Sequence, residues 1–375
     1  MTDLRVLVVM PLGEQLGGGE MMFRHLMQHG HGRGVEWIAA FTKDGPMVAE
    51  TRALGVETHL VEAGRMRDVP RRWRATRALA ALARGRQASL VLGWMASAQL
   101  LAGPAAWLAD IPCAWYQVGL PRPDWLDRVA TWMPARGILV LSHEVAVAQA
   151  RVAPRRPQRL VYPGASLERF EAVRGESPAE LRARFALPTA GPLIGIVGRL
   201  QRWKGMHTAI AAMPEVRRRH PGAHLVIVGG RHDPEPRYEE TLRALVKRLG
   251  LGSAVTFAGF QADVPRWMQA MDVIVHASDH EPFGIVVIEA MALGKPVVAG
   301  ADGGPAEIIT PGQDGLLAAY GDAGALARAI GRFLGDPALA AHCGAAARRR
   351  AMDFSAERCA HGVTDAVLAL AMPEA

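Results

Sequence analysis

The chain has 375 residues, 43 of them Lys or Arg against 36 Asp or Glu, for a formal net charge of +7 at pH 7, and 50% of it is hydrophobic. This length favours two domains, each large enough to bury its own core. No apolar run nears the roughly 20 residues of a membrane-spanning helix, which excludes a helical membrane protein, and the basic balance admits anionic partners without selecting one.

The chain opens MTDLRVLVVMPLGE, a charged start that runs at once into a strand without a cleavage signal, so a cytoplasmic location is expected. Residues 13–23, GEQLGGGEMMF, follow this strand and lead into a helix. The glycines there can bring backbone amides up to a ligand, although a flexible turn explains them as well, and Glu20 reads as a cap of the helix. The spacing is not the G-x-G-x-x-G of a dinucleotide site. Further strands are expected at WIAAF (37–41), ETHLVE (57–62), LVLGW (90–94), CAWYQ (113–117) and GILVLS (137–142). Their alternation with helical stretches is the pattern of a mostly parallel sheet.

Residues 65–86 concentrate Arg65, Arg67, Arg71, Arg72, Arg74, Arg77, Arg84 and Arg86 with Trp73, Leu79 and Leu82. That is a basic amphipathic helix, suited to an anionic membrane surface and equally to the outer layer of an α/β domain. No nucleic-acid motif or aromatic stacking array accompanies it, so nucleic acid is not expected as a partner. Cys113, Cys343 and Cys359 are odd in number and lack paired metal spacing, which reads as three reduced, buried thiols. Trp94, Trp115, Tyr116 and Trp125 either line an acceptor cleft or belong to the core.

A stretch rich in Pro, Arg and Gly, RVAPRRPQRLVYPGASLERFEAVRGESPAE (151–180), reads as a domain connection. Beyond it the theme repeats, with strands LIGIVGRL, HLVIVGG, VTFAGF, DVIVHAS and PVVAG separated by helices at 204–219, 237–250, 263–271 and 285–293, and Ala-rich helices fill 322–371. GRLQRWKG (198–205) sets Arg199 and Lys204 at a strand-to-helix turn, where two cations can meet a diphosphate. DVIVHASDHEPFGIVVIEAMALGKPVVAG (272–300) is a βαβ unit that places Glu281 in the loop after its first strand and Glu289 on the following helix. Gly284 permits close approach of a ligand, and the amides of Ile285 and Val286 open the helix where phosphate is favoured. One carboxylate can accept hydrogen bonds from sugar hydroxyls, the other from ribose.

On these residues the chain resembles the retaining glycosyltransferases of family 4, whose E-x7-E signature begins with EPFG. The resemblance extends to the N-terminal GG-x-E at Gly17, Gly18 and Glu20, to VYPGASLERF at 161–170, to GRLQRWKG and to the C-terminal FSAERCAHGV. It implies an α/β GT-B fold: two doubly wound, Rossmann-like domains facing a cleft, with the last helix crossing back to the first. The expected domains are 1–165 with 355–375 for the acceptor and 170–354 for the nucleotide-sugar. The implied reaction moves a hexose from a nucleoside diphosphate sugar to a hydroxyl of a saccharide or lipid-linked acceptor, at the inner membrane face if 65–86 docks there. Glu281, Arg199 and Lys204 are its expected catalytic residues. Gly17, Gly18, Gly19, Phe283, Gly284, Ile285, Val286 and Glu289 are expected to bind the donor, and the base is expected near GGRH (229–232) and GFQADV (259–264). No D-x-D occurs, so neither a metal nor another cofactor is expected.

One departure bears on mechanism. Where many family members carry a histidine after the strand matching CAWYQVG, this chain has Gln117, which hydrogen-bonds but cannot shuttle a proton. Gln117 and Tyr116 are the acceptor-side residues, and His143, His276 and His280 are the histidines available as substitutes. A front-face displacement needs no protein base, and Glu281 then orients the sugar and supports positive charge. The alternatives are a soluble aminocyclitol-type acceptor, a sugar phosphorylase or epimerase of the same fold, and a catalytically silent binding protein.

Overall fold

The computed structural model describes residues 4–15, 17–121 and 125–371. The chain separates into two compact units, Met1–Gly164 with Ala356–Ala375, and Ala165–Ser355. In the first unit, strands β1 (Leu4–Met10), β2 (Val35–Phe41), β3 (Glu57–Leu60), β4 (Leu90–Trp94), β5 (Cys113–Gln117), β6 (Gly137–Val140) and β7 (Gln158–Leu160) form one sheet. Its order is β3-β2-β1-β4-β5-β6-β7 and its pairs are parallel. The connecting helices are α1 (Gly18–His29), α2 (Pro46–Ala53), α3 (Val69–Gly85), α4 (Ala96–Ala109), α5 (Trp125–Trp132) and α6 (His143–Ala150).

Parallel strands covered on both faces need near-continuous apolar runs. RVLVVM supplies one, with Val6 through Met10 essentially inaccessible. Alternate side chains of β1, Leu7 and Val9, join Ile38, Ala40 and Val91 under Leu79, Ala80 and Ala83 of α3 and Leu101 and Ala105 of α4. Short polar caps start the helices: Asp68 accepts from the Arg71 amide, and Ser142 from the Val145 amide.

The second unit repeats the plan with β8 (Leu193–Val197), β9 (His224–Val228), β10 (Val255–Gly259), β11 (Val273–His276), β12 (Val297–Gly300) and β13 (Leu316–Ala318), all in parallel pairs and ordered β10-β9-β8-β11-β12-β13. Its helices are α7 (Glu168–Glu171), α8 (Pro178–Arg184), α9 (Met206–Arg219), α10 (Tyr238–Arg248), α11 (Val264–Gln269), α12 (Ile285–Ala292), α13 (Pro305–Ile308), α14 (Ala323–Gly335) and α15 (Pro337–Ala351). Ile194, Ile196, Leu225, Ile227 and Val275 pack beneath α9, α10 and α14. The chain then returns to the first unit as α16 (Ala356–Ala371), which packs on α1. Each sheet reverses its winding beside its first strand, between β1 and β4 and between β8 and β11, and ligands of open α/β sheets bind at the carboxyl ends of such strands.

The structure departs from the sequence expectation at two edges. β7 lies inside the stretch read as a connection, and β13 is a short edge strand without a predicted counterpart. The region 322–371 is three helices, punctuated by Asp336-Pro337 and by the 3₁₀ turn Met352–Phe354.

Candidate active site

The densest gathering of predicted residues lies in the second unit, where β8 and β11 end side by side. Beyond β8 the chain makes a 3₁₀ turn, Arg202–Lys204, and enters α9 through Gly205. Gly205 has a φ of +71°, and a Cβ there would stand 1.9 Å from the Ala277 carbonyl oxygen, so only glycine lets the two loops meet. They are joined by the Asp279 amide, which donates to the Trp203 carbonyl at 2.7 Å. Beyond β11, the Gly304 amide donates to the Glu281 carbonyl at 2.8 Å, which ties the Glu281 loop to the chain after β12.

These backbone contacts bring Lys204 and Glu281 together. Lys204 Nζ lies 2.5 Å from Glu281 Oε2 and 3.9 Å from the centre of the Trp203 ring, and His276 Nε2 approaches the same carboxylate oxygen at 3.2 Å. Burial by itself would push the Glu281 pKa up. The Lys204 charge, followed by the His276 hydrogen bond, outweighs it and draws the group down to about 2. Glu281 is therefore a fixed, ionised carboxylate. Lys204 and Glu281 thus form one ion pair. Arg199 is exposed and makes no ion pair among the described residues.

Gly284 takes a φ of +110° and leads into α12, where the Ile285 and Val286 amides have no acceptor among the described residues. Glu289 is partly buried on α12, and burial, countered by the Arg169 charge, holds its carboxyl up at about 7. Phe283 is 2% exposed, and its ring packs edge-on against Phe354 with centroids 5.5 Å apart, which anchors the loop. At the neighbouring strand ends, a Cβ at Gly229 would lie 1.8 Å from the Gly198 carbonyl oxygen, Arg231 bridges to Leu200, and Phe260 is 79% exposed.

Residues 178–350, most of this unit, match the family model described as glycosyl transferases group 1. Across the chain, the structure of Anabaena Alr3699/HepE in complex with UDP superposes with a TM-score of 0.84 at 23% identity, covering 98% of this chain and 100% of that one. This chain has the GT-B fold. Among curated relatives, the lipopolysaccharide core biosynthesis glycosyltransferase LpsE of Rhizobium meliloti is 37% identical over 158 residues, 42% of this chain and 44% of LpsE. The D-inositol 3-phosphate glycosyltransferase of Streptomyces avermitilis is 34% identical over 224 residues, 57% of this chain and 47% of that protein. The chain thus spans about half the length of the curated relatives it matches.

In the first unit of the GT-B chain, Gly17 precedes α1 in extended conformation, and Gly18 and Gly19 form its first turn. A Cβ on Gly19 would stand 2.7 Å from Met95 Cε and 2.9 Å from Val118 Cγ2, and Trp94 Nε1 donates to the Gly19 carbonyl at 2.8 Å, so packing requires this glycine. Glu20 is buried, with Oε2 3.5 Å from where a Cβ of Gly17 would lie. Gln117 ends β5, where its amide donates to Asp127 of α5 at 2.9 Å. Tyr116 is inaccessible: its ring meets Trp94 and its hydroxyl donates to the Val161 carbonyl at 2.5 Å. Trp94 and Trp115 are also core side chains, whereas Trp125 is 59% exposed.

His143 begins α6, His280 is exposed in the Glu281 loop, and His276 touches Glu281. Trp203, which stacks on Lys204, was not singled out from sequence, although its place in RWKG beside a cation was the available signal.

Proposed function

We propose that the chain transfers a hexose from a nucleoside diphosphate sugar to an acceptor hydroxyl with retention of configuration, without a metal ion. The observation that carries this reading is the ionised Glu281, pinned by Lys204 and His276 beside the open amides of α12 and the exposed Arg199. Arg199 and the amides receive the diphosphate, and Glu289 accepts from the ribose hydroxyls. The anomeric carbon–oxygen bond to phosphate breaks, and the acceptor oxygen bonds to that carbon on the same face. The acceptor's proton passes to the departing phosphate oxygen. Glu281 supports the positive charge that grows at the sugar, while Lys204 and Arg199 offset the charge on the leaving diphosphate. Its test is a transfer assay over a panel of nucleotide-sugars with and without EDTA, with product configuration read by NMR. Transfer that survives EDTA, keeps the donor configuration and falls at least tenfold in Arg199→Ala supports the reading. Loss in EDTA or an inverted product overturns it.

The acceptor is a saccharide presented on a lipid, and the first unit favours a bilayer as its surroundings. α3, α4 and α5 pack side by side and carry Trp73, Trp107, Trp125 and Trp132, four of the nine tryptophans, each at least half exposed. On α5, Trp125, Arg128, Val129 and Trp132 share the outward face while Asp127, Ala130 and Thr131 are buried, an apolar face turned outward. Tryptophan with arginine suits the headgroup layer of an anionic membrane. Arg71 of α3 pairs with Glu62, and Arg86 just beyond the helix reaches Glu57, so Arg74, Arg77 and Arg84 carry the outward charge of α3. Sedimentation with phosphatidylglycerol vesicles should be lost in the double variant Trp125→Ser/Trp132→Ser; unchanged sedimentation ends the membrane reading.

A further inference from the structure

Behind Glu281, the end of β11 holds a buried histidine that lines a small cavity. His276 is 3% exposed, and its Nε2 lies 3.2 Å from Glu281 Oε2 and 3.2 Å from Ser278 Oγ. An ionised carboxylate only accepts hydrogen bonds, so Nε2 carries the hydrogen, and a neutral ring then presents Nδ1 as an acceptor. That Nδ1 is buried without a protein partner among the described residues, and so is Thr208 Oγ1 on α9. A helical threonine often returns its hydroxyl hydrogen to the carbonyl one turn back, and Thr208 does not. Both side chains line one cavity, closed by Ala277, Ala299, Ala318 and Tyr320. The space there open to the centre of a water molecule is ≈ 10 Å³, on the order of what a single water needs.

We propose that one buried water joins Thr208 Oγ1 to His276 Nδ1, and that His276, held by it in the Nε2–H form, is the positioning residue that aims Glu281. The water donates to Nδ1 and accepts from the threonine hydroxyl, so two buried polar atoms that would each be costly alone satisfy one another. His276 and Lys204 then grip the same carboxylate oxygen from two elements, β11 and the turn before α9. The kinetic part of this proposal rests on the reading that Glu281 supports sugar transfer.

The test has a spectroscopic arm and a kinetic arm. Long-range ¹H–¹⁵N correlation on histidine-labelled protein, assigned by the signal lost in His276→Gln, should show His276 as the Nε2–H tautomer. Thr208→Val should move Nδ1 toward its unbonded position. An Nδ1–H tautomer in the wild type, or a spectrum unmoved by Thr208→Val, overturns the proposal. In turnover, His276→Phe should lower kcat at least tenfold with donor Kd within threefold, and His276→Gln, whose amide can still donate to Glu281, should recover to within threefold of wild type. Wild-type kcat in His276→Phe also overturns it. Should the wild type transfer no sugar at all, the functional reading fails, and the spectra still decide the water and the tautomer.

Discussion

Replacing Lys204 by methionine keeps the bulk of the side chain and removes the charge that holds Glu281 ionised. The pair is well enclosed, with the two side chains 15% and 11% exposed, so solvent screens it little. Glu281 falls from 4.5 to about 2. At about 1.4 kcal/mol per pKa unit, that fall is worth about 3.5 kcal/mol, supplied by Lys204 with His276 against the cost of burial, and stripping one member from a buried pair costs roughly 3–5 kcal/mol. Because the folded pKa lies below the unfolded one, this contribution is complete above pH 4.5 and drains away as pH falls through about 2. In Lys204→Met the Glu281 pKa rises, so the loss of stability between these two pH values should flatten. The assay is urea unfolding followed by hydrogen exchange in β8 and β11, on wild type, Lys204→Met, Glu281→Gln and the double variant. The expected coupling at pH 7 is about 3 kcal/mol. A coupling below about 1 kcal/mol, the ordinary worth of an exposed pair, or an acid slope identical to wild type, would refute the claim that Lys204 sets the charge of Glu281.

Glu289 has the opposite sign. Its folded pKa stands at about 7 against 4.5, so the stability of its neutral form is present below pH 4.5 and lost as pH rises through about 7. Glu289→Gln cannot ionise, and calorimetry should find its Tm a few degrees above wild type at pH 8 and level with it at pH 4, while donor KM rises as the ribose loses an acceptor. Gly205→Ala puts a Cβ 1.9 Å from the Ala277 carbonyl oxygen at a φ of +71°. It should cost at least about 2 kcal/mol in urea unfolding and lower turnover by parting Lys204 from Glu281. Gly252→Ala, where nothing lies within 4 Å, is the control and should be near wild type.

The βαβ unit at 272–300 was legible because a β-branched run, a helix-length segment and a Gly-Lys-Pro break follow in order, and each length fits one element. β7 was not, since QRL is an edge strand with exposed residues and lacks the apolar run of a central one. Lys204 and Glu281 were each picked out, yet their pairing was not. It depends on Gly205 letting two loops close, and 77 residues of sequence separation carry no trace of which loop tips meet. Tyr116 and Phe283 show a related limit. Pattern places them at a strand end and in a loop, where ligands bind, but only the packed neighbours Trp94, Val161 and Phe354 reveal that their side chains are spent on the core.

Unit 1 is written in two pieces, and a ribosome would make them at different times. α1 meets its packing partner α16 only after the whole of Ala165–Ser355 has been synthesised. At roughly 5–20 residues per second, those ~190 residues impose a delay of about 10–40 s. The second unit, contiguous in sequence, can complete its sheet within that interval, whereas the first waits without the helix that packs on α1. Chaperone capture and aggregation of this chain should therefore depend on the first unit during synthesis, and a nascent chain stalled before Ala356 would be the species to look for.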